Sequence, residues 1–457
     1  MATPPAAEAL AHAVPRLAGA LAAVDAADPE LQNRTRQRLF DTLAATAIGH
    51  ATPEGRALGR SAGWSGVAMR GPERCRQLVG ATRTTEIDDI DIASCTTVGA
   101  VIVPTTLCVA AMNPACDGKT LLGAIVAGYE AMIRLGRAIG GATLLYEGVW
   151  PTLVTAPFGA AAATARLLSL DAQATARALA LALSQTGLPP RRALARFGYR
   201  YHALGGAAQE GCAAAFAAAA GIDADLDGLA SYGERLGTAI DAAALTAGLG
   251  GTWRIREVDS KMFPSSRQAL ASVAAFLEPP AAARDIADLT RIDVYVPRAY
   301  RGMIDRPQLP TQRIESMIGV QYQIALAALA PETLHDALRA TLPGSTAVTE
   351  LMSKIHVHDD VELSKRFPAS WGSRIELSWN DGRTTSAEVA EPPGSGRREL
   401  DWQMLEHKAQ RIHAASGGDA AALPDLRVRC EAVGAGSSGD AEALLRHAET
   451  LTPKVKS

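Results

Sequence analysis

Aromatic side chains are scarce in this chain: 7 Phe, 8 Tyr and 6 Trp make up only 5% of its 457 residues. Alanine fills the space instead, in blocks such as Ala213–Ala220. Small side chains let helices approach closely, so this composition predicts helices packed on helices. An excess of one charge is also missing. Lys and Arg number 45 against 48 Asp and Glu, a formal net charge of −3, without the basic footprint of a nucleic-acid partner. No uninterrupted apolar run reaches the roughly 18 residues of a membrane span. The N-terminus lacks the charged start and apolar run of a secretory leader. These absences point to a soluble, cytoplasmic protein. Cysteine is sparse and unpatterned: Cys75, Cys95, Cys108, Cys116, Cys212 and Cys430 form no CxxC pair and match no zinc or iron–sulfur spacing. They read as reduced thiols.

The length exceeds a single undivided core and calls for two or three domains. Asp28-Pro29 is a helix start, an N-cap followed by proline at the first helical position. Leu39, Phe40, Leu43 and Ala47 then line one face, and Gly49 reads as the stop. The same rhythm predicts helices over Leu121–Ile139, Ala156–Leu168, Ala172–Thr186 and Ala207–Ala220. After about residue 265 the pattern changes. Strands are predicted at Arg291–Val296 and Lys354–His358, with a helix around Glu315–Leu329 between them. Ser373–Trp379 and Arg383–Val389 flank Asn380-Asp381-Gly382, a strong hairpin turn. Helix returns at Trp402–His413, and Thr452–Ser457 reads as a frayed tail. The expected fold is mainly α with an α+β second domain. A large helical domain, 1–265 rejoined by 398–457, would carry a smaller α/β lid domain at 266–397.

Several segments in order along roughly 400 residues resemble the MmgE/PrpD family. They are Asp41-Thr42-Leu43 through Gly49, Glu86-Ile87-Asp88-Asp89, Gly99-Ala100-Val101 through Pro104, and Gly128-Tyr129-Glu130 with Arg134-Leu135-Gly136. Gly148-Val149-Trp150-Pro151-Thr152, Gly205–Gly211, Lys261-Met262-Phe263-Pro264 and the Asn380-Asp381-Gly382 hairpin follow. The family includes 2-methylcitrate dehydratase, cis-aconitate decarboxylase and iminodisuccinate epimerase. The resemblance implies a helical domain plus an α/β lid, a homodimer, a small-molecule substrate, and catalysis without a metal or organic cofactor. It also implies proton removal beside a carboxylate, or a comparable carbanion formed by loss of carbon dioxide.

The departures fall on the family's active-site loops. Thr97, or Thr96 if the register slips by one, stands where the resemblance implies a histidine. Trp150 stands for a second histidine, before Pro151 and Thr152. Counting back from Gly205 puts Arg200 at a family lysine, and His202 matches a neighbouring histidine. Counting on from Lys261 puts Leu270 at a third histidine, with Ser265, Ser266 and Arg267 between.

His202 is thus the one histidine placed in such a motif, and a general acid/base candidate with Tyr199 or Tyr201 as helpers. Its plainer reading is a cap beside a glycine-rich helix start. Glu86, Asp88, Asp89 and Asp91 crowd like charges, which can raise one carboxyl group into the range of a base. Their plainer reading is an acidic turn paired with arginines. Arg200, Lys261 and Arg267 suit carboxylate clamps, or else surface salt bridges. Trp150 suits a substrate with an apolar or aromatic part, or simply a core position. Three functions remain open: a divergent lyase or isomerase, including a biosynthetic cyclase; an inactive dimeric binding scaffold; and a conventional member in another register.

Overall fold

The computed structural model describes residues 4–63, 69–187, 198–278, 286–339, 342–395, 398–435 and 440–454, with side chains from residue 8. By its contacts the chain divides into two units: Met1–Val258 with Asp419–Ser457, and Asp259–Gly418. The expected tail extends beyond the described residues, into 455–457.

The first unit is helical. Its elements are α1 (Pro4–Ala22), α2 (Pro29–Ala51), α3 (Pro53–Ala62), α4 (Gly71–Arg83), α5 (Gly99–Ala110), α6 (Gly118–Ala138), α7 (Gly141–Tyr146), α8 (Pro151–Leu167), α9 (Ala172–Gln185) and α10 (Tyr199–Ala219). Shorter helices follow, including Leu423–Ala432 and Ala441–Thr450 after the second unit. Asp28 caps α2 as expected, its carboxylate accepting the Glu30 N–H at 3.0 Å. Gly49 does not stop that helix, which runs on to Ala51. The glycine serves packing instead, since a Cβ there would lie 2.3 Å from the Ala81 carbonyl oxygen of α4. The larger correction concerns α10. It begins at Tyr199 rather than Ala207, so the Tyr199–His202 segment is its first turn and not a loop. Gly205 and Gly206 lie inside the helix, Gly205 where α4 crosses closely. The α8 helix packs between α6 and α10 with a nearly continuous face of small buried residues, Ala156 to Ala165.

The second unit holds one four-stranded sheet, β1 (Leu289–Val296), β2 (Ile355–Asp359), β3 (Ser373–Trp379) and β4 (Thr384–Val389), in the order β2-β1-β3-β4. β1 and β2 are parallel, with Val294 opposite Val357. β1–β3 and β3–β4 are antiparallel, and Gly382 at φ 81° closes the hairpin. β3 alternates strictly between fully and partly buried residues. The helix Trp402–Ala415 lies with this unit, not with the first as expected. Its Leu405, Ala409 and Ile412 are buried, it packs on the helix Pro331–His335, and Ser416 Oγ accepts the Ala337 N–H at 3.0 Å.

His335 in this unit predicts acid sensitivity. Its ring is buried edge-on to Phe263, with centroids 5.9 Å apart. Burial, helped by Arg411, Arg339 and His407, lowers its pKa to about 3. Between that value and the roughly 6.5 of an unfolded histidine, the unfolded chain binds the extra proton. Stability is therefore whole above about pH 6.5 and falls by up to ~1.4 kcal/mol per pH unit below it. His335→Leu should flatten the denaturant-midpoint profile between pH 6 and 4. An unchanged profile would remove His335 as the cause.

Candidate active site

The acidic segment between α4 and α5 is a tight turn whose carboxylates face in different directions. Thr84 and Thr85 first end α4 by donating their hydroxyls to the Ala81 and Thr82 carbonyls at 2.6 and 2.8 Å. Glu86 follows with φ 55°, a left-handed backbone that non-glycine residues seldom adopt. Held conformations of this kind concentrate at functional sites. Asp89 accepts the Gly99 N–H at the start of α5 and the Tyr129 hydroxyl, both at 2.6 Å. Burial, outweighing these donors and Arg38, raises the Asp89 pKa above its ordinary value. Asp91 accepts the Ser94 N–H at 2.7 Å and an Arg137 Nη2 bond at 2.6 Å, and pairs through its backbone with Thr96. The Thr96 hydroxyl lies 2.5 Å from that of Ser94. Asp89, Asp91 and Thr96 thus tie the turn together.

Glu86 and Asp88 turn instead to Arg83, the last residue of α4. Arg83 Nη1 lies 2.7 Å from Glu86 Oε2 and 3.4 Å from Asp88 Oδ1, all three being buried. Burial alone would lower the guanidinium pKa, but Asp88 and Glu86 overcome it and hold the group above its ordinary value. Arg200, in the first turn of α10, approaches from the other side. Its Nη2 is 3.6 Å from Glu86 Oε1, and its guanidinium carbon is 4.5 Å from the Trp150 ring centroid. Arg83 is 5.7 Å from the same ring. Trp150 sits just before α8 with Pro151 at the first helical position. One residue on, Thr152 Oγ1 accepts the Thr97 N–H at 3.1 Å and lies 3.4 Å from its hydroxyl. The structure therefore gathers Glu86, Asp88, Trp150 and Arg200 around Arg83, with Thr97 and Thr152 paired beside Trp150. The Nε atoms of Arg83 and Arg200 are enclosed and have no hydrogen-bond partner among the described residues. Each is a spare cationic donor in a low-dielectric setting.

The other candidates on α10 point elsewhere. Tyr201 is fully buried, with its ring 5.5 Å from the Arg200 guanidinium carbon. Tyr199 is exposed. His202 is exposed too, and lines a groove beside Leu58 and Arg76. Successive helical residues turn by about 100°, so Arg200 and His202 cannot share a face.

In the second unit, Arg267 places Nε and Nη2 at 3.2 and 3.1 Å from one oxygen of Asp259. Its Nη1 has no partner among the described residues, nor has Ser266 Oγ, although both side chains are buried. Ser266 is the N-cap of the helix Arg267–Phe276 and makes no side-chain cap bond. A helix N-terminus, a free hydroxyl and a guanidinium edge are together suited to an anion. Lys261 is buried in the preceding turn. Leu270 lies inside the helix.

Two arginines escaped the sequence reading. Arg83 had a signal, because a basic residue closing a helix three positions before Glu86 is placed to pair with it. Arg339 had none. It is buried at φ 38° and donates Nη1 to the Ser316 carbonyl and hydroxyl, and Nη2 to the Pro264 and Leu334 carbonyls, at 2.7–3.0 Å. It thereby holds the Lys261–Pro264 turn by its carbonyl end. All six cysteines, Cys95 included, are buried and none is in a disulfide.

The sequence matches the MmgE/PrpD N-terminal domain over residues 15–233 and the MmgE/PrpD C-terminal domain over residues 263–428. This chain belongs to the MmgE/PrpD family. Members of the family are generally lyases and dehydratases. No curated protein matches it. Among the described residues, no helix is long and apolar enough to cross a membrane. Trp150 and Arg200, expected from the resemblance to replace two family side chains, are stacked on one another.

Proposed function

We propose that this MmgE/PrpD protein is a cofactor-independent lyase or isomerase that transfers a proton on a small carboxylate- or imine-containing substrate. The observation that carries this reading is the enclosed Arg83–Glu86–Arg200 group over Trp150, with two spare guanidinium N–H donors. Chemistry that builds negative charge beside a carboxylate needs such fixed cations, which cost no reorganisation as the charge develops. In this reading Arg200 and Arg83 hold the substrate carboxylate, Thr97 and Thr152 orient it, and Asp88 takes the proton. Lys261, Ser266 and Arg267 form a second anion-binding element. The protein acts as a homodimer in the cytoplasm.

Neither Thr97 nor Trp150 can exchange a proton near neutral pH as an imidazole does. Purified protein should therefore leave 2-methylcitrate and cis-aconitate unconverted. Turnover of either at an ordinary enzymatic rate would refute the reading. Solvent deuterium should enter next to the carboxylate of at least one member of a panel of small carboxylic and imino acids. Asp88→Asn should abolish that exchange in folded protein. Exchange with no member of the panel would favour the inactive scaffold, a reading supported by His202 facing away from Arg83.

A further inference from the structure

The groove that receives His202 has a charge pattern of its own. It lies along the seam of α3, α4 and α10, with a volume of about 300 Å³. That is the lower end of the roughly 300–1,000 Å³ typical of small-ligand pockets. Leu58 and Ala62 of α3, with Met69, supply apolar wall. Glu73 and Arg76 of α4 supply opposite charges, and Gln209 and His202 of α10 complete the polar side.

Glu73 and Arg76 are three residues apart on one helix, a spacing at which such residues ordinarily pair. Here they do not. Arg76 lies across α10 instead, its Nη2 3.5 Å from where a Cβ on Gly206 would be. Its Nε donates to Gln209 Oε1 at 2.7 Å. The guanidinium is thus oriented by a neutral partner. Neither Arg76 nor Glu73 makes an ion pair among the described residues. A held cation without a counter-ion and an anion without one share a small groove with an apolar wall. A ligand that satisfies all three carries a carboxylate, an ammonium and a short apolar chain.

We propose that this groove is a binding site for a zwitterionic α-amino acid with an apolar side chain. The carboxylate meets the Arg76 Nη edge, the ammonium meets Glu73, and the side chain lies on Leu58 and Met69. His202 stands at the rim as a recognition residue rather than as an acid or base of the reaction. The site is separate from the arginine cluster and does not depend on the reaction proposed for it.

The test is calorimetric titration of the whole chain with L-leucine, 4-methylpentanoate and isoamylamine. The last two lack the ammonium and the carboxylate respectively. L-Leucine should bind saturably, with each half-ligand weaker by about tenfold or more, the scale of one lost charge-assisted contact. Arg76→Gln should weaken L-leucine by a similar factor, as should Glu73→Gln, and both residues are accessible enough to be changed without loss of fold. Arg200→Gln should leave L-leucine binding unchanged. No binding of L-leucine would overturn the proposal. So would equal binding of 4-methylpentanoate, binding indifferent to Arg76→Gln and Glu73→Gln, or loss of binding in Arg200→Gln.

Discussion

Replacing Arg83 with methionine should destabilise the helical unit by about 3–5 kcal/mol, the usual cost of removing one member of a buried ion pair. Methionine keeps the length and packing of the stem, so the loss is chiefly electrostatic. Glu86 and Asp88, both buried, would lose the Arg83 guanidinium. At about 2–4 °C per kcal/mol for a unit of this size, the melting temperature should fall by roughly 10 °C. The deficit should be larger at pH 8 than at pH 5, because protonation relieves buried carboxylates that have lost a cationic neighbour. Arg83→Lys should recover part of the loss, since it restores a point charge but not the planar fork. Thermal melts of the three proteins at both pH values check this. A deficit below about 1 kcal/mol, or one independent of pH, would place Arg83 among ordinary surface pairs.

The second large effect separates two adjacent glycines. A Cβ on Gly205 would lie 2.0 Å from the Arg76 carbonyl oxygen, in the backbone of α4, where nothing flexible can yield. Gly205→Ala should therefore force α4 and α10 apart and cost about 3 kcal/mol or more, the upper range for overpacking. A Cβ on Gly206 meets only the Arg76 guanidinium at 3.5 Å, an ordinary contact. Gly206→Ala should be neutral, or stabilise by up to about 1 kcal/mol through helix propensity. Chemical denaturation of the two variants decides the matter. Equal effects would contradict the close crossing.

The contrast between these glycines shows where the sequence runs out. Periodicity finds α6, α8 and α9 to within a few residues, and the Asn380-Asp381-Gly382 hairpin with its flanking strands, because each rests on local preferences. The start of α10 is not local. Gly205-Gly206 reads as a helix boundary, and only the approach of α4 explains Gly205 inside a helix. That misplacement carried His202 with it, because a loop can aim any side chain inward and a helical turn cannot. The acidic segment was legible as a cluster but not as a division of labour. Which carboxylates close the turn and which face Arg83 depends on Tyr129 and Gly99, residues 40 and 10 positions from Asp89. Arg339 was invisible for the same reason, since three of its four acceptors are carbonyls that any residue type supplies.

In the proposed function Arg83 and Arg200, stacked around Trp150, hold a substrate carboxylate. The most direct measurement is calorimetric titration of the wild type and Arg200→Gln with 2-methylcitrate and cis-aconitate as carboxylate probes. Saturable binding of at least one acid by the wild type, without conversion, and weakened about tenfold or more in Arg200→Gln, is the predicted result. Binding of neither acid, or equal binding by both proteins, would contradict the claim.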